Sequence, residues 1–243
     1  MSDIHLIIQG KGGIGKSLVS TVVAQYIEAA KGVTVSCFDI DQENATFAAY
    51  KSLNVEMISL YDENNVIDQG KFDPFIEQLL TTQNDIVIDS GANTFSPLCA
   101  YLIENGVFDL LRSMGKNIYI HSIVGGGDVL KDTAAGFNSL LTSFSNESFI
   151  LWANHHYGEL KYDNDVDFFD TPICKENQRQ IKAIIHLKKM NEQTFGNDLK
   201  ELNIRRLTLK EALISEEIKL MSKQRLKMIF SGIYEQLDEV KWA

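Results

Sequence analysis

The stretch IIQGKGGIGKS, residues 7–17, decides the fold. Residues 10–17 satisfy G-x-x-x-x-G-K-S. They lie between an apolar run, IHLIIQ (4–9), and a helical pattern, SLVSTVVAQYIEAAK (17–31), that stops at Gly32. A strand, a glycine-rich turn and a helix in that order make a phosphate-binding loop. Gly10, Gly12, Gly13 and Gly15 let successive N–H groups, that of Ile14 among them, turn inward around an anion. The helix start at Lys16, Ser17 and Leu18 adds its partial positive charge. Lys16 reaches the β/γ-phosphates and the Ser17 hydroxyl suits Mg²⁺. One lysine is enough for that task, so Lys11, at the start of the same loop, needs another explanation.

Outward from the loop, strand and helix signals alternate. VTVSCF (33–38), DIVIDS (85–90), NIYIHSI (117–123), SFILWAN (148–154) and IKAIIHL (181–187) read as buried strands. Helices are predicted over 73–82, where Pro74 fits the first turn, and over 128–144. The pattern predicts an α/β fold, a mostly parallel twisted sheet with helices on both faces. Residues 209–237 are helical in pattern, and 155–180 are polar and irregular, an insertion or a mobile loop. No Ser/Gly/Pro-rich linker interrupts the chain, so residues 1–243 read as one nucleotide-binding domain with a helical C-terminal extension over 200–243. Ligands of such sheets bind beyond the carboxyl ends of the strands, where Gln9, Asp39, Asp89 and Asn154 fall.

Composition narrows the class. The longest apolar runs are far short of a membrane span, and Met1 leads straight into a strand with no secretory signal. Cys37, Cys99 and Cys174 are scattered, as expected of reduced thiols in a cytoplasmic protein. The net charge of −10 is uneven. Residues 1–174 hold 9 basic and 23 acidic side chains, and residues 175–243 hold 14 and 10. The acidic part argues against wholesale wrapping by nucleic acid, while the basic end leaves room for a local anionic contact.

Three acids sit where a metal–phosphate site needs them. Asp39 and Asp41 follow the second strand, and Asp89 ends a neighbouring one, the place of the acid that holds Mg²⁺ beside a phosphate loop. Two carboxylates beside a phosphate repel it unless Mg²⁺ or lysines balance them, which is one use for an additional lysine. Other features read as ordinary. His155-His156 is expected to be a solvated loop. The three glycines at 125–127 suit the start of a helix capped by Asp128. Arg205, Arg206 and KQRLK (223–227) read as a solvated helix face, with DNA or anionic membrane as the weaker reading.

K-G-G-x-G-K-S near the N-terminus, D-x-D after the second strand and an apolar run ending in Asp together resemble the deviant Walker A ATPases, the ParA/MinD type. The resemblance implies ATP/ADP and Mg²⁺ as cofactors. It implies that Lys11 reaches across a face-to-face homodimer to the partner's nucleotide, that Asp41 orients the attacking water, and that Asp39 and Asp89 bind Mg²⁺ through water. It also implies that Asn154, or the loop 188–192, contacts the adenine. A narrower resemblance, carried by NATF, SGANTF, NEQTFGNDLKEL and MSKQRLKMIFSGIYEQLD, is to the TraL family of conjugative plasmids. It implies a partner from conjugation or plasmid maintenance. The chain departs from the broad pattern at Gln42, where many members have proline, and at Ser90-Gly91-Ala92, where many have two. Gly91 predicts a more flexible switch segment and slow or partner-stimulated hydrolysis.

The leading expectation is an ATP-hydrolysing dimerisation switch. A non-hydrolysing nucleotide-dependent adaptor and a P-loop small-molecule kinase are the alternatives. Kinases of that type lack the early lysine.

Overall fold

The computed structural model describes residues 2–242. Its centre is a seven-stranded sheet, parallel throughout: β1 (Ser2–Ile7), β2 (Val35–Asp39), β3 (Glu56–Met57), β4 (Asp85–Asp89), β5 (Lys116–Gly125), β6 (Ser148–Asn154) and β7 (Ile181–Leu187). The spatial order is β3-β2-β4-β1-β5-β6-β7. All six predicted strands agree within two residues at each end, β5 running on to Gly125. β3 is absent from the sequence reading, because two residues carry no period.

The helices are α1 (Lys16–Lys31), α2 (Phe72–Thr81), α3 (Phe95–Glu104), α4 (Val107–Ser113), α5 (Leu130–Ser143), α6 (Pro172–Lys175), α7 (Phe195–Ile204), α8 (Leu209–Ile214) and α9 (Leu220–Asp238). Alternation along each strand splits the core in two. Ile4, Leu6 and Ile8 face a cluster with Phe75 of α2, Leu98 of α3, Leu111 of α4 and Phe137 of α5. Ile7 and Trp152 face the other cluster, with Val19 and Val23 of α1, Leu202 of α7 and Phe230 of α9. The C-terminal helices thus cover the same face as α1.

Three expectations are corrected. The helical pattern over 209–237 is two helices, parted at 215–219, where Ile218 turns inward and is buried. Asp128 caps nothing: it lies within a 3-10 turn (Gly127–Val129) that precedes α5, past the position from which a side chain can reach the free N–H groups. The irregular stretch 155–180 is anchored, since Leu160 and Phe168 are buried in the core. Among the described residues no helix is long and apolar enough to cross a membrane.

Candidate functional site

β1 is flanked by β4 and β5, so the chain reverses its winding direction there. The loop that leaves β1 opens at the carboxyl edge of the sheet at that switch point. Gly13 and Gly15 take positive φ, 71° and 107°, which curls the backbone before α1. The N–H groups of Gly12, Gly13, Ile14 and Gly15 have no hydrogen-bond partner among the described residues. They add to the free N–H groups at the start of α1, and together these form a cradle for an anion. The loop's first N–H, that of Gly10, donates instead to Gln9 Oε1 at 2.8 Å. Gln9 is itself pinned, its Nε2 donating to the Ile123 and Thr133 carbonyls.

Lys16 is buried, and its Nζ donates to the Lys11 carbonyl at 3.0 Å, back across the loop. Burial lowers its pKa, and the charges of Asp89 and Asp41 partly restore it. Asp89 pairs in register with Ile7 of β1 and with Asp39 of β2, so the two acids lie side by side, both fully buried. Ser20 donates to Asp89 Oδ1 at 2.8 Å. Asp89 Oδ2 is buried with no partner. Burial raises the Asp89 pKa to about 7, with the charge of Asp39 adding to it. The Ser17 and Ser20 hydroxyls oppose the rise only in part. A carboxylate oxygen left alone beside a serine hydroxyl and a phosphate cradle fits a divalent cation. A hard cation favours oxygen donors and restores the charged form.

Asp39 is placed differently. Its Oδ1 accepts from the Asp41 N–H and its Oδ2 from the Ala48 N–H, both at 2.9 Å, so it ties down the loop after β2. Burial raises its pKa and those two N–H groups lower it. Asp41 is half-buried, accepts from the N–H and amide of Asn44, and lies against Gly91, where a Cβ would come within 2.9 Å of its carboxylate. Gly91 is therefore the surface on which Asp41 rests. Asn154 is buried. Its Nδ2 donates to the Ile14 carbonyl at 3.0 Å and its Oδ1 accepts from the His156 N–H, leaving one amide hydrogen free. Lys11 meets Asp132 of α5 at 2.9 Å, both side chains well exposed.

No family model matches the chain. Two Escherichia coli proteins called Protein TraL are 39% and 37% identical over 239 residues, in each case 98% of both chains. The chain belongs to the TraL family. The solved MinD cell division protein of Aquifex aeolicus covers 99% of both chains at 15% identity with a TM-score of 0.50, which shows the shared P-loop fold.

Against this TraL fold, sequence reasoning missed Ser20, Asp132 and Tyr157. Ser20 was legible in principle, since it lies three residues after Ser17 and so on the same face of α1. Asp132 and Tyr157 meet the loop from elements more than 100 residues away and left no local signal. The histidine reading is corrected in part. His155 stacks on His186 of β7, ring centroids 5.3 Å apart, with Nε2 and Nδ1 at 3.0 Å, because β6 and β7 pair. Of the basic C-terminal residues, Arg205 pairs with Glu201 and Glu217, Arg225 with buried Asp198, and Arg206 lies over the Tyr50 ring.

Proposed function

We propose that this TraL-family chain binds ATP with Mg²⁺, hydrolyses it slowly, and uses the nucleotide to switch between monomer and homodimer in plasmid conjugative transfer. The observation that carries the reading is the unpartnered, buried Oδ2 of Asp89 beside Ser17, next to a loop whose N–H groups are free. In this reading the N–H groups of residues 12–17, Leu18 and Lys16 hold the phosphates. Ser17 and Asp89 hold Mg²⁺, with Asp39 fixing the neighbouring loop. The cation's contribution is to neutralise charge developing on the phosphate oxygens. Asp41 accepts a hydrogen bond from the attacking water. Water's oxygen bonds to the γ-phosphorus as the bond to the β–γ bridging oxygen breaks, giving ADP and phosphate. Lys11 leaves Asp132 for the partner's nucleotide, and Asn154 offers its free N–H to the base.

Titration calorimetry with MgATP tests the core of this. The wild type should bind, and Lys16→Ala should lose most affinity while unfolding at a similar temperature, since the side chain's one hydrogen bond is to the loop itself. Equal affinity in both proteins would remove Lys16 from the site. A second reading, the non-hydrolysing adaptor, has one observation behind it: the Asp41 carboxylate is engaged by Asn44. Phosphate release without any acceptor separates the two, and it also separates the switch from a kinase.

A further inference from the structure

Five residues after Ala153, Asn154-His155-His156-Tyr157-Gly158, form a short platform against the phosphate loop. The Tyr157 hydroxyl donates to the Gly13 carbonyl, and the Asn154 amide to the next carbonyl, that of Ile14. In a trans peptide the carbonyl and the following N–H point in opposite directions. Holding these two carbonyls therefore also directs two N–H groups, those of Ile14 and Gly15, away from the platform. Both N–H groups are among those with no partner. The Gly13–Ile14 peptide most needs such a hold, because glycines at 12 and 13 put little steric limit on its rotation.

The platform is itself fixed. Residues His155–Tyr157 make a 3-10 turn whose first free N–H is taken by Asn154 Oδ1. His155 is stacked on His186, and the Tyr157 ring meets His156 edge-on, centroids 5.2 Å apart. On the other side the Gly126 N–H donates to the Asn154 carbonyl and the Gly127 N–H to the Glu159 carbonyl, at 3.1 and 3.0 Å. That glycine segment leads into α5, which carries Asp132.

We infer that Tyr157 is a positioning residue for the nucleotide's diphosphate: its hydroxyl sets the Gly13–Ile14 peptide so that the Ile14 N–H is presented to the phosphate. This rests on the nucleotide reading above. Because the N–H serves the part common to ATP and ADP, both should depend on the hydroxyl equally.

The test is calorimetry on the full chain, wild type against Tyr157→Phe, with MgATP and with MgADP. Phenylalanine keeps the ring packing and drops only the donor. Affinity for both nucleotides should fall about three- to tenfold, the worth of one hydrogen bond. The unfolding midpoint should stay within about 2 °C. In phosphate release KM should rise with kcat unchanged, as loss of uniform binding requires; a general loosening of the loop would lower kcat too. Unchanged affinity in Tyr157→Phe beside a wild type that binds would overturn the role and leave the nucleotide reading standing. A wild type that binds neither nucleotide would overturn both.

Discussion

At the scale of single residues, the buried polar groups set opposing responses to pH. His5 is fully buried, with Nδ1 3.0 Å from His121 Nε2, and His121 accepts from Trp152 Nε1 at 3.0 Å. Burial, and then the charge of Lys31, lowers the His5 pKa to about 3. The unfolded chain takes up that proton near pH 6.5 and the folded chain does not, so His5 weakens the fold as pH falls from neutrality toward 3. Asp89 has the opposite sign. Its pKa near 7 means that the folded state holds a proton the unfolded state has already released. The two trends oppose each other, so the total slope tests neither. The informative quantity is the difference between wild type and His5→Gln in urea unfolding. On going from pH 7 to pH 5 the wild type should lose about 2 kcal/mol relative to the variant. Parallel pH profiles would mean that His5 is not neutral in the folded chain.

At the scale of elements, two glycines of the same type have opposite values. Gly126, between β5 and α5, lies against the platform after β6, and a Cβ there would come 2.2 Å from the Gly158 carbonyl oxygen. Backbone meets backbone, so nothing flexible can yield. Gly126→Ala should cost about 1–3 kcal/mol. Gly232 is exposed inside α9 with nothing within 4 Å of the added atom. Gly232→Ala should stabilise by roughly 0.5–1 kcal/mol through helix propensity. Calorimetric melting of both variants checks the pair. Equal shifts of the same sign would show that packing at the glycine segment is looser than the geometry indicates.

At the scale of the whole molecule, Lys11 links the monomer to the proposed dimer. Its ion pair with Asp132 is exposed on both sides, and such pairs contribute about 0–1 kcal/mol, so giving it up is a small obstacle to association. Meeting a phosphate between subunits, with water excluded, is a stronger interaction. With MgATP, Lys11→Ala should therefore bind nucleotide yet stay monomeric. Asp132→Asn should dimerise at least as readily as wild type. Multi-angle light scattering with ATP, ADP and no nucleotide reads both. A Lys11→Ala protein that dimerises like wild type would end the trans role.

The sequence by itself determined the phosphate loop, the alternation of strand and helix, and the placing of Asp39, Asp89 and Asn154 at strand ends. Each of these is a matter of spacing within a few residues, which local periodicity and backbone sterics already encode. It did not show α3, α4 or the break between α8 and α9, where an apolar residue such as Ile218 is drawn inward by packing rather than by helical phase. Only the tertiary structure decided the surroundings of the loop. Lys11 and Asp132 are 121 residues apart, and Tyr157 and Gly13 are 144 apart. They meet because β1, β5 and β6 are neighbours in the sheet. The isolation of Asp89 Oδ2 arises in the same way, from β4 lying between β1 and β2, an order set by which apolar faces bury one another.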